Sequence, residues 1–521
     1  MPAPLLDLLG RGAGRGAVID DGTGGPTVPL SRLLAASERL AGGLAGWGLV
    51  PGDRAAVVLP HGPDWYLVHL ALARLGVLTV PVSTRLAAPE IDDLVRSARC
   101  RLVVVDPGFL GLGLDRVAAR LSRSGAIDRV LTTAPTTVPG ARELDDLDGM
   151  APAVAGDGAS APLVCFGTSG TTGAPKLAVH THDGVAGHVA AVADATGLTG
   201  ECGGGRVVLG ALPPCGAYGY TLAMAALAAG CRLVTVPTFT PTELFDLVAT
   251  HRVEVVAVTE AILRAALAAG VPHPGGHWRL AASAGGSLAD VAATLERDGT
   301  RVVNVYGASE VLALLAVRDP SAAVPERAAA GGTIVGEQAA ARAEVRAVVP
   351  GTDTLLPAGQ DGELQFRGPS VFTGYLDSPA ATAAALGPGG WYRSGDSGRV
   401  ESGGAAFDYL ARLSDTLRLK GFLVDPGQIE EVLLAHPGVG EAQVVGVPDP
   451  GTDEDLAVAF VVGAAQPDEL RAWCRERLAA FKIPARIEWV DDIPVIPSAN
   501  GDKALRRALR ERAVSLMEED R

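Results

Sequence analysis

The residues Thr168-Ser169-Gly170-Thr171-Thr172-Gly173-Ala174-Pro175-Lys176 directly follow the apolar run LVCFG at 163–167. Two glycines let the backbone turn tightly and aim N–H groups at one point. The hydroxyls add donors, and Lys176 brings a mobile positive charge, so the segment has the make-up of a phosphate cradle. It is not a P-loop, because GxxxxGK[ST] does not occur in the chain. A second group, Asn304 to Glu310, closes the β-branched run RVVNV (301–305) with a glycine turn at Gly307. Glu310 is thereby placed near the carboxyl end of a strand, where a hard divalent cation finds oxygen ligands. Asp396 lies in a tight Gly-Asp turn suited to accepting two hydrogen bonds from sugar hydroxyls. Only four of the 44 basic residues are lysines, namely Lys176, Lys420, Lys482 and Lys503. A chain that writes nearly every cation as arginine keeps lysine where a compact ammonium matters.

These residues need a scaffold, and the hydrophobic pattern supplies one. From Arg54 to Asn304 short β-branched runs (55–60, 77–81, 101–106, 232–237, 254–258, 301–305) alternate with Ala/Leu-rich helical segments (65–76, 241–250, 287–299). Strand, helix, strand repetition predicts an α/β fold: a large N-terminal domain, residues 1–411, with parallel sheets sandwiched by helices. Ligands then gather at the carboxyl ends of the strands. After about Asp408 the pattern changes to a small α+β unit, predicted over 412–521 with its boundary near Arg412 to Ser414.

Composition narrows the function classes. The 521 residues are 48% hydrophobic, enough for more than one core, and the net charge of −15 repels nucleic acid and anionic membranes. No apolar run reaches spanning length and no basic, apolar leader opens the chain, so a cytoplasmic protein with no membrane insertion is expected. Six cysteines scattered without CxxC spacing predict reduced thiols rather than disulfides or a zinc site.

TSGTTGAPK resembles the phosphate-binding signature of the ANL superfamily, which comprises acyl- and aryl-CoA synthetases, nonribosomal peptide adenylation domains and luciferases. The resemblance continues in order along nearly the whole chain. Tyr306-Gly307-Ala308-Ser309-Glu310 is similar to the family's YGxTE. Gly362-Glu363-Leu364 with Arg367-Gly368 and Gly374-Tyr375 is similar to GEL…RG…GY, and Trp391 to Asp396 to WxxTGD. Arg412 opens the hinge segment, and Lys503 precedes a basic helix. The resemblance implies ATP, Mg²⁺ and coenzyme A as cofactors and a small-molecule carboxylic acid as substrate. It implies that Glu310 ligates the metal, that Asn304 and Tyr306 line the adenine pocket, and that Asp396 and Arg412 hold the ribose. It further implies that Lys503, on a small mobile C-terminal domain, swings in for adenylation, where a positioned ammonium stabilises charge developing on the phosphoryl oxygens, and that this domain then rotates about the hinge at 412–415 to open a thiol tunnel bordered by Gly421.

The chain departs from the family at telling points. Ser414 stands at the pivot where Asp or Lys is usual, and Asp502 stands where a glycine usually precedes the catalytic lysine. The segment Leu212 to Gly219 holds no acid to pair with an α-amine, which favours a non-amino acid substrate. Cys215 and Gly216 align with the aromatic and histidine of many CoA synthetases, so a wide pocket for a bulky hydrophobic acid is expected, with Tyr218, Gly219, Gly285, Gly286, Gly307 and Leu312 as further lining. Three readings stand: acyl-CoA formation; an adenylate-only ligase, or one that loads a carrier-protein phosphopantetheine; and a silent binding module that keeps the fold.

Overall fold

The computed structural model describes residues 4–147, 158–168, 176–199, 205–238, 240–270, 279–283, 288–336, 343–413, 417–419, 422–424, 426–449, 455–496, 503–504 and 506–519. The chain forms two compact units. One comprises Met1–Val345, Phe366–Tyr392 and Gly403–Phe407; the other comprises Arg346–Gln365, Arg393–Ser402 and Asp408–Arg521. The sequence places a single cut near Arg412, whereas the second unit also takes up the two earlier stretches.

The first unit is α/β and carries two sheets. One is ordered Gly374–Tyr375, Lys176–Thr181, Pro162–Thr168, Leu78–Pro81, Arg54–Val58, Leu102–Val105, Arg129–Thr132 and Arg142–Glu143. The other includes Ala316–Val317, Arg301–Tyr306, Arg279–Ser283, Val255–Thr259, Val207–Gly210, Arg232–Thr235 and Val18–Asp20, with parallel pairing from Arg301–Tyr306 through to Val18–Asp20. Side chains alternate across each strand. Ala55, Val57, Leu102, Val104, Val255 and Ala257 therefore enter the central core. Their neighbours Ala56, Val58, Val103 and Val105 pack under helices Ala88–Ser97 and Leu114–Arg123, and Val256 and Val258 pack with helices Leu244–His251 and Ala289–Leu295. Both faces being buried explains why these strands read as continuous apolar runs.

Helix Ala217–Ala229 lies in the central core, and every one of its residues is buried. A helix apolar all round has no solvent face to offer, so it must be enclosed. Gly230 at φ 91° stops it in the left-handed conformation. Among the described residues Cys100, Cys165, Cys215, Cys231 and Cys474 are free thiols, and no helix is long and apolar enough to cross a membrane.

The second unit is α+β. Val439–Pro448 pairs antiparallel with Asp455–Gly463, which pairs parallel with Arg486–Trp489. Helices Pro426–Leu434 and Pro467–Arg477 pack with one face of this sheet through Ile429, Leu433, Leu470 and Cys474. Helix Arg506–Glu519 covers the other through Leu509 and Ala513.

Candidate active site

The phosphate motif joins two paired strands. Pro162–Thr168 runs antiparallel to Lys176–Thr181, with Thr168 opposite Lys176 and Gly167 opposite Leu177. The sheet thus fixes both feet of the motif, Thr168 and Lys176. Ser169, Gly170, Thr171, Thr172 and Gly173 lie outside the described residues.

The Glu310 turn is built on strand Arg301–Tyr306. Gly307 ends it, and a Cβ there would lie 2.5 Å from the Ala313 Cα, so only glycine lets the chain double back this closely. Ala313 N–H closes the turn on the Ala308 carbonyl at 2.9 Å. Leu312, Ala313 and Leu314 then take φ of 61°, 53° and 45°, a left-handed run that costs side-chain-bearing residues energy unless the surroundings impose it. The surroundings do. Thr221 Oγ1 donates to the Leu312 carbonyl at 2.6 Å, and His188 Nε2 donates to the Ala313 carbonyl at 2.8 Å. His188 Nδ1 is left to accept from Ser370 Oγ at 2.9 Å. Burial pushes the His188 imidazole down to about 4, which keeps this neutral tautomer in place.

The same turn is tied to the phosphate motif. Ser309 Oγ donates to the Gly167 carbonyl at 3.1 Å, and His180 Nε2 donates to the Ser309 carbonyl at 2.8 Å. Burial pushes His180 down to about 3, so it serves as a neutral donor.

Glu310 is 7% exposed. Its Oε1 accepts from the Tyr375 hydroxyl at 2.8 Å, and its backbone carbonyl accepts from Phe372 N–H at 2.8 Å. Lys176 Nζ stands 5.3 Å from the centroid of the Tyr375 ring. The structure therefore brings together Lys176, Tyr375 and Glu310, two residues singled out in the sequence and one between them that was not. A magnesium ion fits this setting. Among the described residues no three His, Cys, Asp or Glu side chains gather to hold a metal, so Glu310 would hold a cation only jointly with oxygens from a bound nucleotide, the manner in which Mg²⁺ is usually held.

The remaining residues of the first unit fall as follows. Asn304 is fully buried, with Nδ2 donating to the Ala328 carbonyl at 3.0 Å and Oδ1 without a partner among the described residues. Tyr306 is 3% exposed and sits with Phe366 and Phe407 at centroid distances of 5.4 and 5.0 Å. Cys215 is half-buried, and burial pushes its thiol up to about 11. Gly216 precedes the buried helix, and Tyr218 is enclosed in it. The space beside Gly219 is filled by the Leu212 and Pro213 carbonyl oxygens, each 2.5 Å from where a Cβ would stand. Leu312 joins the same helix through Thr221. Gly285 and Gly286 lie outside the described residues.

In the second unit Asp396 is 4% exposed, and its Oδ1 pairs with Arg412 Nη1 at 2.9 Å. Asp396 lies within the continuous strand Tyr392–Val400 rather than in the tight turn expected from the sequence: Gly395, at φ 69°, kinks the strand without ending it, and Arg412 Nη1 also donates to the Ser394 carbonyl at 2.6 Å. Ser394 Oγ reaches the Leu364 carbonyl at 2.6 Å and accepts from Asp396 N–H at 3.0 Å. Asp396 is thereby anchored to the GEL strand. Lys503 pairs through its backbone with Ile496, just before helix Arg506–Glu519; its side chain, Ser414 and Gly421 lie outside the described residues.

The AMP-binding enzyme model matches residues 11–376, and the AMP-binding enzyme C-terminal domain model matches 428–500. The chain belongs to the AMP-binding enzymes, the ANL superfamily of adenylate-forming enzymes. It is 30% identical over 513 residues to 4-coumarate–CoA ligase 5 of Oryza sativa subsp. japonica, covering 95% of this chain and 91% of that protein. It is also 30% identical over 509 residues to the fatty acid–[acyl-carrier-protein] ligase ScoC of Streptomyces coeruleorubidus, covering 94% and 92%. Among solved structures, ATP-bound MatB from Rhodopseudomonas palustris superposes with a TM-score of 0.83 at 26% identity, covering 98% of this chain and 99% of that one.

For an AMP-binding enzyme, the residues that sequence reasoning missed are Tyr375, His180, His188, Thr221 and Ser370. Tyr375 belongs to the GY pair, to which no role was attached. His188 carried one available signal: it lies in a run otherwise made of small or apolar residues, GVAGHVAAVA at 184–193, where a polar side chain needs a partner.

Proposed function

We propose that this AMP-binding enzyme activates a bulky, hydrophobic carboxylic acid without an α-amine and passes it to coenzyme A. In the first step a carboxylate oxygen attacks the α-phosphorus of ATP, the bond to the bridging oxygen breaks, and pyrophosphate leaves with its electron pair. In the second the thiol sulfur attacks the acyl carbon, AMP leaves, and the thiol proton is released. Two anions meet in the first step, so the chain must supply positive charge where phosphoryl charge develops. Lys176 at the foot of the hairpin and Lys503 on the C-terminal unit are assigned that task, and Glu310 is assigned the nucleotide's Mg²⁺, which neutralises phosphate charge when bound. Asp396 and Arg412 take the ribose, and the hydroxyl and glycine residues Thr168 to Gly173 take the phosphates. The boundary near Arg412, with Ser414 as pivot and Gly421 beside the thiol, completes the reading.

The observation that carries it is the bond from Ser309 to Gly167, which joins the metal-ligand turn to the phosphate hairpin. The likeness to a rice CoA ligase supports coenzyme A as acceptor, and the likeness to ScoC supports a carrier-protein phosphopantetheine as the second reading. The test is ATP–pyrophosphate exchange across a carboxylate panel, followed by mass detection of products with each acceptor. Exchange with large hydrophobic acids and a CoA thioester product is expected. Preference for acetate or propionate overturns the pocket assignment, a carrier-bound product alone overturns the acceptor, and no exchange with any acid favours a silent binding module.

A further inference from the structure

We infer that Tyr375 is a positioning residue that holds Glu310 while keeping Lys176 and Glu310 from neutralising each other. Among the described residues the ammonium and the carboxylate make no direct ion pair; each instead meets a different part of one phenol. The hydroxyl donates to Glu310 Oε1 at 2.8 Å, and the ring offers its centroid to Lys176 Nζ at 5.3 Å. Donation to a carboxylate pushes electron density into the ring, which strengthens the hold of its face on a cation. A contact of this kind is weak enough to be given up, so Lys176 is stored beside the phosphate hairpin and leaves the ring for a polyanion.

The phenol is itself fixed from three sides. Tyr375 pairs with Ala178 on the strand that starts at Lys176. Its backbone N–H donates to Thr382 Oγ1 at 2.9 Å, and Thr382 Oγ1 donates on to the Ser378 carbonyl at 2.9 Å. Its ring lies 4.7 Å from Phe372, whose N–H holds the Glu310 backbone carbonyl at 2.8 Å. The turn that carries the acid and the segment that carries the phenol are thus bonded twice, once through backbone and once through side chain. With Oε1 occupied by the hydroxyl, Glu310 presents its remaining oxygen to a nucleotide-borne cation from a fixed rotamer.

This inference rests on the role given to Glu310 above. Tyr375→Phe removes the hydroxyl and keeps the ring; Tyr375→Leu removes both. Binding of ATP with and without Mg²⁺ is measured by titration calorimetry, together with the Mg²⁺ concentration for half-maximal pyrophosphate exchange. Tyr375→Phe is expected to raise that concentration about tenfold and to weaken ATP binding only when Mg²⁺ is present. Tyr375→Leu is expected to weaken Mg²⁺-free ATP binding as well, because nothing then keeps Lys176 from pairing with Glu310 and being neutralised. If Tyr375→Phe matches the parent in both readouts, the inference is overturned whether or not Tyr375→Leu folds. If the parent itself exchanges no pyrophosphate, the proposed function fails first, and the calorimetric comparison still reads the phenol's effect on Mg²⁺-dependent binding.

Discussion

Ser309 Oγ donates to the Gly167 carbonyl at 3.1 Å across 142 residues of sequence. The bond joins the ends of strands from two different sheets, so the turn that presents Glu310 and the foot of the phosphate hairpin share one reference point. His180 adds a second tie to the same residue by donating to the Ser309 carbonyl. A nucleotide whose phosphates and cation must be held together needs such a shared frame, since misplacement by an ångström is costly in rate.

Glu310→Gln keeps the size of the side chain and removes its charge. The Mg²⁺ concentration for half-maximal pyrophosphate exchange should rise about tenfold or more, while ATP binding measured without metal changes little. Unchanged metal dependence would remove Glu310 from the metal's ligands.

Lys503→Ala should lower acyl-AMP formation by about 100-fold or more and leave the capture of supplied acyl-AMP by coenzyme A largely intact. Single-turnover assays of the two half-reactions separate these effects. Equal loss in both would show that Lys503 acts on the fold or on thiol transfer instead.

Five histidines, His61, His69, His180, His182 and His188, are pushed down by burial to between about 3 and about 4. The unfolded chain then binds protons more readily than the folded one as pH drops below the ordinary imidazole value near 6.5. The stability they confer is complete above that value and is lost as pH falls from it toward about 3, each histidine removing up to about 1.4 kcal/mol per pH unit. Thermal unfolding followed at several pH values should show Tm clearly lower at pH 5 than at pH 7.5. An equal Tm would mean that these rings accept protons without leaving their sites.

Gly307→Ala puts a methyl group 2.5 Å from the Ala313 Cα, against backbone rather than a flexible side chain. A loss of about 1–3 kcal/mol is expected from such overpacking, together with weakened MgATP binding because the displaced turn carries Glu310. Denaturant titration and calorimetry read the two effects, and an unperturbed variant would show that the turn has slack.

Much of the architecture is legible in the amino-acid order. The runs at 55–60, 101–106 and 301–305 became strands because both of their faces are buried, and buried strands advertise themselves as unbroken β-branched segments. That Thr168 ends one strand and the Glu310 turn follows another was legible because small and polar residues directly after such runs mark strand ends. What stayed hidden was long-range and carried by side chains. Tyr375 meets Glu310 from 65 residues away, and His188 meets Ala313 from 125, and no periodicity encodes a partner at that distance. The contacts of Asn304 with Ala328 and of Tyr306 with Phe366 and Phe407 are of the same long-range kind. A single cut near Arg412 could not express a second unit that also gathers Arg346–Gln365 and Arg393–Ser402, since a linear boundary has no way to describe a chain that enters one unit three times.

Thr221 and His188 grip the left-handed run through the carbonyls of Leu312 and Ala313, not through their side chains. Backbone shape and side-chain identity are therefore separable there. Exchanging the aliphatic groups at 312 to 314 leaves the two clamping bonds available, so the path of this stretch is dictated by the residues that hold it and not by the ones that form it.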